Sequence, residues 1–245
     1  MEQRMKSEAF HYGDGIDQFV GHLVWDDSRE EPAPCVLIAP AFGGLSDFER
    51  ARAEDLGKLG YVALAVDYYG DGKRAASPEE AQRLMAGLQA DRTVLARRMR
   101  AALEAARALP QVDAGRIGAM GYCLGGKAVL DLARTGADLR ACVPLHGVYD
   151  RPNFETQTMR AAVLVLHGWD DPLAPPSALE ALAAELNEHC ADWQVLGFGH
   201  TGHAFTNPNA KDSASGMIYS ATASSRAWTA LTGFLAETFE DAASA

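Results

Sequence analysis

The feature that most limits how this chain can fold is a series of short apolar runs, several without polar alternation, separated by stretches of helical periodicity. The runs are Phe19–Trp25, Cys35–Ala39, Tyr61–Val66, Ile117–Gly121, Ala141–His146, Ala162–His167 and Trp193–Phe198. A strand with one wet face alternates apolar and polar residues, whereas a strand covered on both faces need not. Helices between the runs carry their own start signals. Ser46 followed by Glu49 reads as a capping box opening a helix to about Lys58, with Gly60 just past its end. Ser77-Pro78-Glu79-Glu80 opens a second, with proline at the first helical position. Its pattern continues to about Leu109, with Gly87 as the expected break. Further helices are expected after Gly121 (with Ala128, Val129 and Leu132), over Ser177–Glu188 and over Thr222–Phe239. Strands and helices in alternation predict an α/β fold, a doubly wound and mostly parallel sheet. No repeat, low-complexity tract or linker divides the 245 residues, so they are read as one domain, 1–245. In such sheets ligands bind beyond the carboxyl ends of the strands.

Charge and cysteine content narrow the partners. The net charge is −11, which repels phosphate backbones and anionic lipid heads. Neither nucleic acid nor a membrane surface is an expected partner. The N-terminal segment is polar, without the apolar stretch of a signal peptide, and no apolar run approaches the roughly 18 residues that mark a membrane span. Four cysteines make no disulfide framework. Cys35 and Cys142 lie in apolar runs and read as small buried hydrophobes. A reducing cytoplasm is the expected setting.

The run ending at Gly121 continues as Gly121-Tyr122-Cys123-Leu124-Gly125-Gly126 and then a helix. This is the G-x-S-x-G nucleophile turn with cysteine in place of serine. Gly121 and Gly125 occupy the two positions where the backbone must pack closely. The helix that follows points its N-terminus at the thiol, and a helix N-terminus favours an anion. The Leu124 N–H is then placed to meet a substrate oxyanion. The bland reading is a buried cysteine at an ordinary strand–helix junction.

In this arrangement the acid and the base follow the nucleophile in chain order. The run ending at His167 leads into Gly168-Trp169-Asp170-Asp171-Pro172, and that ending at Phe198 into Gly199-His200-Thr201-Gly202-His203. Asp170 and Asp171 compete for the acid. Asp171, just before Pro172 on the way into a helix, is the better placed. His200 and His203 compete for the base, with His203 favoured. The two histidines also form H-x-x-H, a weak metal motif without a glutamate partner or further clustered ligands. No metal and no organic cofactor is expected.

These motifs resemble the dienelactone hydrolase family of the α/β-hydrolase superfamily. The resemblance runs from about Phe19 to Phe239 and rests on three ordered pieces: Gly121–Gly126, His167–Asp171 and His203-Ala204-Phe205-Thr206-Asn207-Pro208. Asp67-Tyr68-Tyr69-Gly70 adds a fourth. It implies Cys123 as nucleophile, Asp171 as acid and His203 as base. Dienelactone hydrolase itself places a glutamate near the resting cysteine and arginines on the substrate carboxylate. Ala41 and Thr206-Asn207 stand at the matching places here; Lys73, Arg74 and Arg83 are the remaining candidates for a carboxylate clamp, with solvated loop and helix charge the favoured reading of all three. The natural substrate is accordingly expected to differ from dienelactone.

Only Gly147–Ala161 joins two successive runs where many relatives insert a cap, so an uncapped, shallow site is expected. Oxyanion donors would be the backbone N–H groups of Leu124 and Phe42. Tyr68, His146, Trp169 and Phe205, with Phe42, are expected to line the site. The implied activity is hydrolysis of small carboxylic esters or lactones through an acyl-cysteine, by a monomer or homodimer. A soft nucleophile in an open site extends the expectation to aryl phosphotriesters. Rival readings are a non-catalytic binding protein of the same fold, a metallohydrolase through His200 and His203, and a nicotinamide oxidoreductase. The last lacks its glycine fingerprint, since Gly13-Asp14-Gly15 is too short a match.

Overall fold

The computed structural model describes residues 3–241. In chain order the strands are β1 (Met5–Gly13), β2 (Gln18–Asp26), β3 (Ala33–Ala39), β4 (Val62–Ala65), β5 (Val112–Tyr122), β6 (Ala141–Leu145), β7 (Ala162–Gly168), β8 (Trp193–Phe198), and the short β9 (Lys211–Asp212) and β10 (Met217–Ile218). The helices are α1 (Asp47–Lys58), α2 (Pro78–Ala90), α3 (Arg92–Arg107), α4 (Leu124–Arg134), α5 (Pro176–His189) and α6 (Ala221–Asp241). Eight strands form one sheet in the order β1-β2-β4-β3-β5-β6-β7-β8. β1 and β2 are antiparallel, β2 runs antiparallel to β4, and all the remaining pairs are parallel. This is the doubly wound, mostly parallel sheet of an α/β-hydrolase fold.

The parallel strands from β3 to β7 are buried almost throughout, which is why their sequences lack alternation. Apolar packing lies on both sides of them. Leu88, Leu95, Leu103, Leu130 and Leu186 belong to one layer, from α2 to α5, and Leu56, Leu231 and Leu235 to the other, from α1 and α6. Local chemistry fixes the helix starts. Ser46 and Glu49 cap α1 reciprocally, and Ser77 caps α2 ahead of Pro78.

Two features depart from the pattern read in sequence. The long helical stretch after Ser77 breaks at Asp91 rather than Gly87. Asp91 is extended and accepts the Thr93 N–H, ending α2 and capping α3 in one residue. β1 is an edge strand whose residues are nearly all solvent-exposed, so neither its hydrophobicity nor its alternation stands out.

Between β6 and β7 there is no helix and no strand, so no cap covers the carboxyl end of the sheet. The chain leaves β3 through α1 to β4 on one side, then crosses by α2 and α3 to β5 on the other. The topological switch point therefore lies between the ends of β3 and β5. The loop 40–44 and Cys123 meet there.

Candidate active site

Cys123 stands between β5 and α4 with φ +55° and ψ −113°. A non-glycine residue in this region is strained, by an estimated 1–3 kcal/mol, and persists only where its surroundings impose it. Those surroundings are glycine. A Cβ on Gly121 would sit 2.2 Å from the Gly125 carbonyl oxygen, and one on Gly125 would sit 2.1 Å from that of Ala39. Backbone thus touches backbone on both sides of the turn, and the start of α4 presses against the end of β3. The other three cysteines are buried. Burial pushes the Cys35 thiol up to about 12 and raises those of Cys142 and Cys190 as well. Cys123 alone is partly exposed.

His203 follows β8 in a loop held by the β9–β10 hairpin. Its N–H donates to the Gly216 carbonyl at 2.9 Å, and its carbonyl accepts the Ile218 N–H at 3.2 Å. His203 Nδ1 lies 2.7 Å from Asp171 Oδ2. The imidazole and the carboxylate are both buried. Nε2 is also buried and makes no hydrogen bond among the described residues. Burial pulls the imidazole's pKa down, but the Asp171 hydrogen bond, the neighbouring Cys123 and the charge of Asp171 outweigh it and lift the value to about 9. Such nucleophile–base contacts are often long in the unliganded state and tighten on binding.

The competing pair lies elsewhere. The His200 side chain is fully exposed, and its Nδ1 is 3.8 Å from the half-exposed Asp170 carboxylate. His200 and His203 do not converge. Among the described residues no group of three or more His, Cys, Asp and Glu side chains is arranged to hold a metal ion.

The loop 40–44 faces the cysteine turn. The N–H groups of Phe42 and Leu124 have no protein acceptor among the described residues. Tyr68 and Tyr69 stand behind this loop, at the end of β4. The buried Asp67 orders their segment by accepting the N–H groups of Tyr69, Gly70, Gly72 and Val20 at 2.7–3.1 Å.

Two further histidines fill the floor. His146, at φ +37° just after β6, packs edge-on against the His203 ring at 5.1 Å and reaches Thr206 Oγ1 through Nε2 at 2.8 Å. His167 Nδ1 lies 3.1 Å from the Tyr149 hydroxyl. Burial holds both imidazoles below their usual pKa; His203 lowers His146 further, while at His167 the Asp171 charge opposes burial and His203 adds to it. Both are less basic than His203.

Of the expected lining residues, Phe42 is half-buried, while Tyr68, His146 and Phe205 are buried. Phe205 packs between His146 and Phe198. Trp169 is 49% exposed and leans on Gly197 and His167. Lys73, Arg74 and Arg83 are exposed, and the backbone of Lys73 and Arg74 lies against Gly44. Tyr69, Tyr149 and the β9–β10 hairpin were not singled out in sequence. Tyr69 alone had a signal, as the neighbour of Tyr68 in the fourth matching piece.

Six strand ends from β3 to β8 thus deliver the loop 40–44, Tyr68, Cys123, His146, Asp171 and His203 to one rim of the sheet. Known proteins share this frame. The solved structure of m3DLH superposes with a TM-score of 0.91 at 39% identity, covering 96% of this chain and 99% of that one. A dienelactone hydrolase-like promiscuous phosphotriesterase from metagenomic libraries superposes with a TM-score of 0.88 at 36% identity, with the same coverages. The carboxymethylenebutenolidase of Pseudomonas putida is 27% identical over 224 residues, covering 86% of this chain and 91% of that protein. The model of the dienelactone hydrolase family matches residues 20–239, nearly the whole stretch that holds the sheet and its rim, and the chain belongs to that family.

Proposed function

We propose that this protein hydrolyses small carboxylic esters and lactones through a Cys123–His203–Asp171 triad and an acyl-cysteine intermediate. The observation that carries the reading is the buried 2.7 Å pair of His203 Nδ1 and Asp171 Oδ2, beside a cysteine in a strained strand-to-helix turn. Membership of the family and similarity to a carboxymethylenebutenolidase support it.

In the acylation step the Cys123 proton passes to His203 and the sulfur adds to the carbonyl carbon. The carbonyl oxygen becomes an oxyanion between the Leu124 and Phe42 N–H groups. Each such donor contributes about 3 kcal/mol to the transition state. The C–O bond then breaks, and the alkoxide leaves with a proton from His203. In a lactone the same bond opens the ring and the alcohol stays attached. Water then attacks the thioester, His203 takes its proton, and the thiol is expelled as the acid forms. Cys123 supplies part of what raises the imidazole's pKa. Having given its proton to the leaving alkoxide, His203 is the neutral base that the second step needs, and with the sulfur acylated Cys123 no longer favours its cationic form. Asp171 orients the ring and stabilises its cationic form without accepting the proton.

A second reading, hydrolysis of aryl phosphotriesters at the same cysteine, is favoured by one observation, the 36% identity to a promiscuous phosphotriesterase. One experiment tests both. p-Nitrophenyl acetate and an aryl phosphotriester are offered to the wild type and to Cys123→Ala, with iodoacetamide and EDTA as separate treatments. Turnover that is lost in the variant and with iodoacetamide but survives EDTA is expected. Turnover that persists in Cys123→Ala and disappears with EDTA overturns the triad in favour of a metal mechanism.

A further inference from the structure

The loop 40–44 is held in an uncommonly complete way. Tyr68 Oη lies 2.6 Å from the Pro40 carbonyl oxygen and 3.0 Å from that of Ala41. The Ala41 carbonyl also accepts the Gly44 N–H at 3.0 Å. Tyr69 donates its hydroxyl to the Phe42 carbonyl at 2.8 Å, and the Gly43 carbonyl accepts the Ala75 N–H at 3.0 Å. The Ala41 N–H reaches the buried Glu49 carboxylate at 3.3 Å. Every carbonyl from Pro40 to Gly43 is therefore occupied, and the N–H groups of Phe42 and Gly43 have no acceptor among the described residues.

A peptide unit is planar and trans, so its C=O and N–H point in opposite directions. The Ala41 carbonyl and the Phe42 N–H belong to one such unit. Whatever fixes the carbonyl also fixes the aim of the N–H. We infer that Tyr68 is a positioning residue of the oxyanion hole: its one hydroxyl proton, shared between the Pro40 carbonyl at 2.6 Å and the Ala41 carbonyl at 3.0 Å, pins the two consecutive peptide units that enter the loop and so, together with the Gly44 N–H on the Ala41 carbonyl, aims the Phe42 N–H at the acyl oxygen. This rests on the acyl-cysteine reading above. Tyr69 steadies the next peptide unit in the same loop.

Several features fit this role. Tyr68 is fully buried and stacks edge-on against Tyr69 at 4.9 Å, so its hydroxyl has little freedom to swing away. Its pKa is held well above the usual phenol range by burial, then by Tyr69 and Cys123. It stays a donor at any pH at which the enzyme would work. Arg98 in turn holds the backbone carbonyls of Tyr68 and Tyr69 at 2.9 and 3.0 Å, fixing the base from which both hydroxyls reach.

The test separates oxyanion stabilisation from thiol reactivity. Attack on p-nitrophenyl acetate passes through a tetrahedral oxyanion, whereas alkylation by iodoacetamide does not. Both rates are measured on the wild type and on Tyr68→Phe, with single-turnover nitrophenol release for acylation. The expected result is acylation slowed about 10- to 100-fold, with KM and the alkylation rate within about twofold of wild type. Loss of one oxyanion donor outright slows catalysis roughly 10²- to 10³-fold, and misaiming one should cost less. Acylation at the wild-type rate overturns the inference. So does an equal fall in both rates, which would mean general damage to the turn. If wild-type protein alkylated at Cys123 still hydrolyses the ester, the acyl-cysteine reading itself fails and this inference with it. Should Tyr68→Phe not fold, Tyr69→Phe carries the comparison, with a smaller loss confined to acylation expected and unchanged acylation overturning the inference.

Discussion

Asp171 serves His203 with one oxygen and its own loop with the other: Oδ2 lies 2.7 Å from His203 Nδ1, while Oδ1 accepts the N–H groups of Leu173 and Ala174 at 2.8 and 3.3 Å. The backbone bonds lock the carboxylate so that its second oxygen has one direction left. An Asp171→Asn variant can keep the turn through its carbonyl but then offers an N–H to Nδ1, which favours the wrong imidazole tautomer. The expected outcome is a fall in kcat of about 10³-fold or more, with little change in folding. Steady-state ester hydrolysis with a parallel melting curve checks it, and a variant that keeps a tenth of wild-type kcat would remove Asp171 from the proposed triad.

The neighbouring candidates make the matching control. His200 is fully exposed and Asp170 half-exposed, and their 3.8 Å contact lies in solvent. Exposed pairs of this kind contribute about 0–1 kcal/mol. His200→Ala and Asp170→Ala should each leave kcat/KM within about twofold of wild type. A large loss in either would reopen the choice that separates each pair.

The sequence and the structure agree best where one physical cause dominates. The buried strands from β3 to β7 were legible because burial on both faces removes polar residues from them. The turn around Cys123 was legible because only glycine tolerates the close approach at positions 121 and 125. The site's support was less visible. Tyr149, which meets His167, lies in an irregular loop with no period to read. β10 is two residues long and earns its place by holding His203. Phe205 reads as a lining residue from its place after His203, yet packs beneath His146. Sequence adjacency to a motif does not say toward which side of the loop a ring turns. β1 escaped because an exposed edge strand can be as polar as a loop.

The basicity of His203 links pH to stability. Its folded pKa, about 9, is raised above the usual 6.5, so the folded state binds this proton more tightly than the unfolded chain does. The stabilisation is complete below about pH 6.5 and disappears as pH rises through about 9. At roughly 1.4 kcal/mol per unit, the whole is on the order of 3 kcal/mol. Denaturant unfolding at pH 6.5 and 9.5 should show wild type losing that much more than His203→Gln. Alkylating Cys123 should flatten part of the wild-type slope, because it removes the thiol's share. Equal slopes in wild type and His203→Gln would contradict the assignment.

Close packing at the nucleophile turn predicts an asymmetry among glycines. A Cβ on Gly125 would lie 2.1 Å from the Ala39 oxygen and 2.5 Å from that of Pro40, both backbone atoms. Neither can step aside without moving β3 or the loop 40–44. Gly125→Ala should cost about 2–3 kcal/mol or more and abolish esterase activity. Gly199 has nothing within 4 Å of the same position, and Gly199→Ala should change stability by no more than about 0.5 kcal/mol. A pair of urea titrations decides, and a Gly125→Ala protein as stable as wild type would mean that the turn is not tightly packed.

The helix that begins at the cysteine turn is anchored at its far end by buried charge. Arg134, at the end of α4, is fully buried and meets Glu185 of α5 at 2.8 Å and Asp131 at 3.1 Å. Its guanidinium also donates to the Tyr149 and Asp150 carbonyls at 3.1 and 3.3 Å. Asp150 returns to the first turn of α4 through Lys127 at 2.6 Å. The uncapped segment between β6 and β7 is thereby tied to both ends of the nucleophile helix. Removing Arg134 leaves the Glu185 carboxylate buried with only the Thr156 hydroxyl, whereas Asp131 keeps its pair with the buried Arg92; leaving one buried charge unpaired typically costs about 3–5 kcal/mol, and removing opposite charges together can cost far less. Arg134→Met should therefore be strongly destabilised, and Arg134→Met combined with Glu185→Gln should recover at least about 1 kcal/mol over the sum of the two single changes. Urea unfolding of the four proteins in the cycle measures that coupling. Strict additivity would show that the buried charges stabilise independently of each other and that no network holds α4 in place.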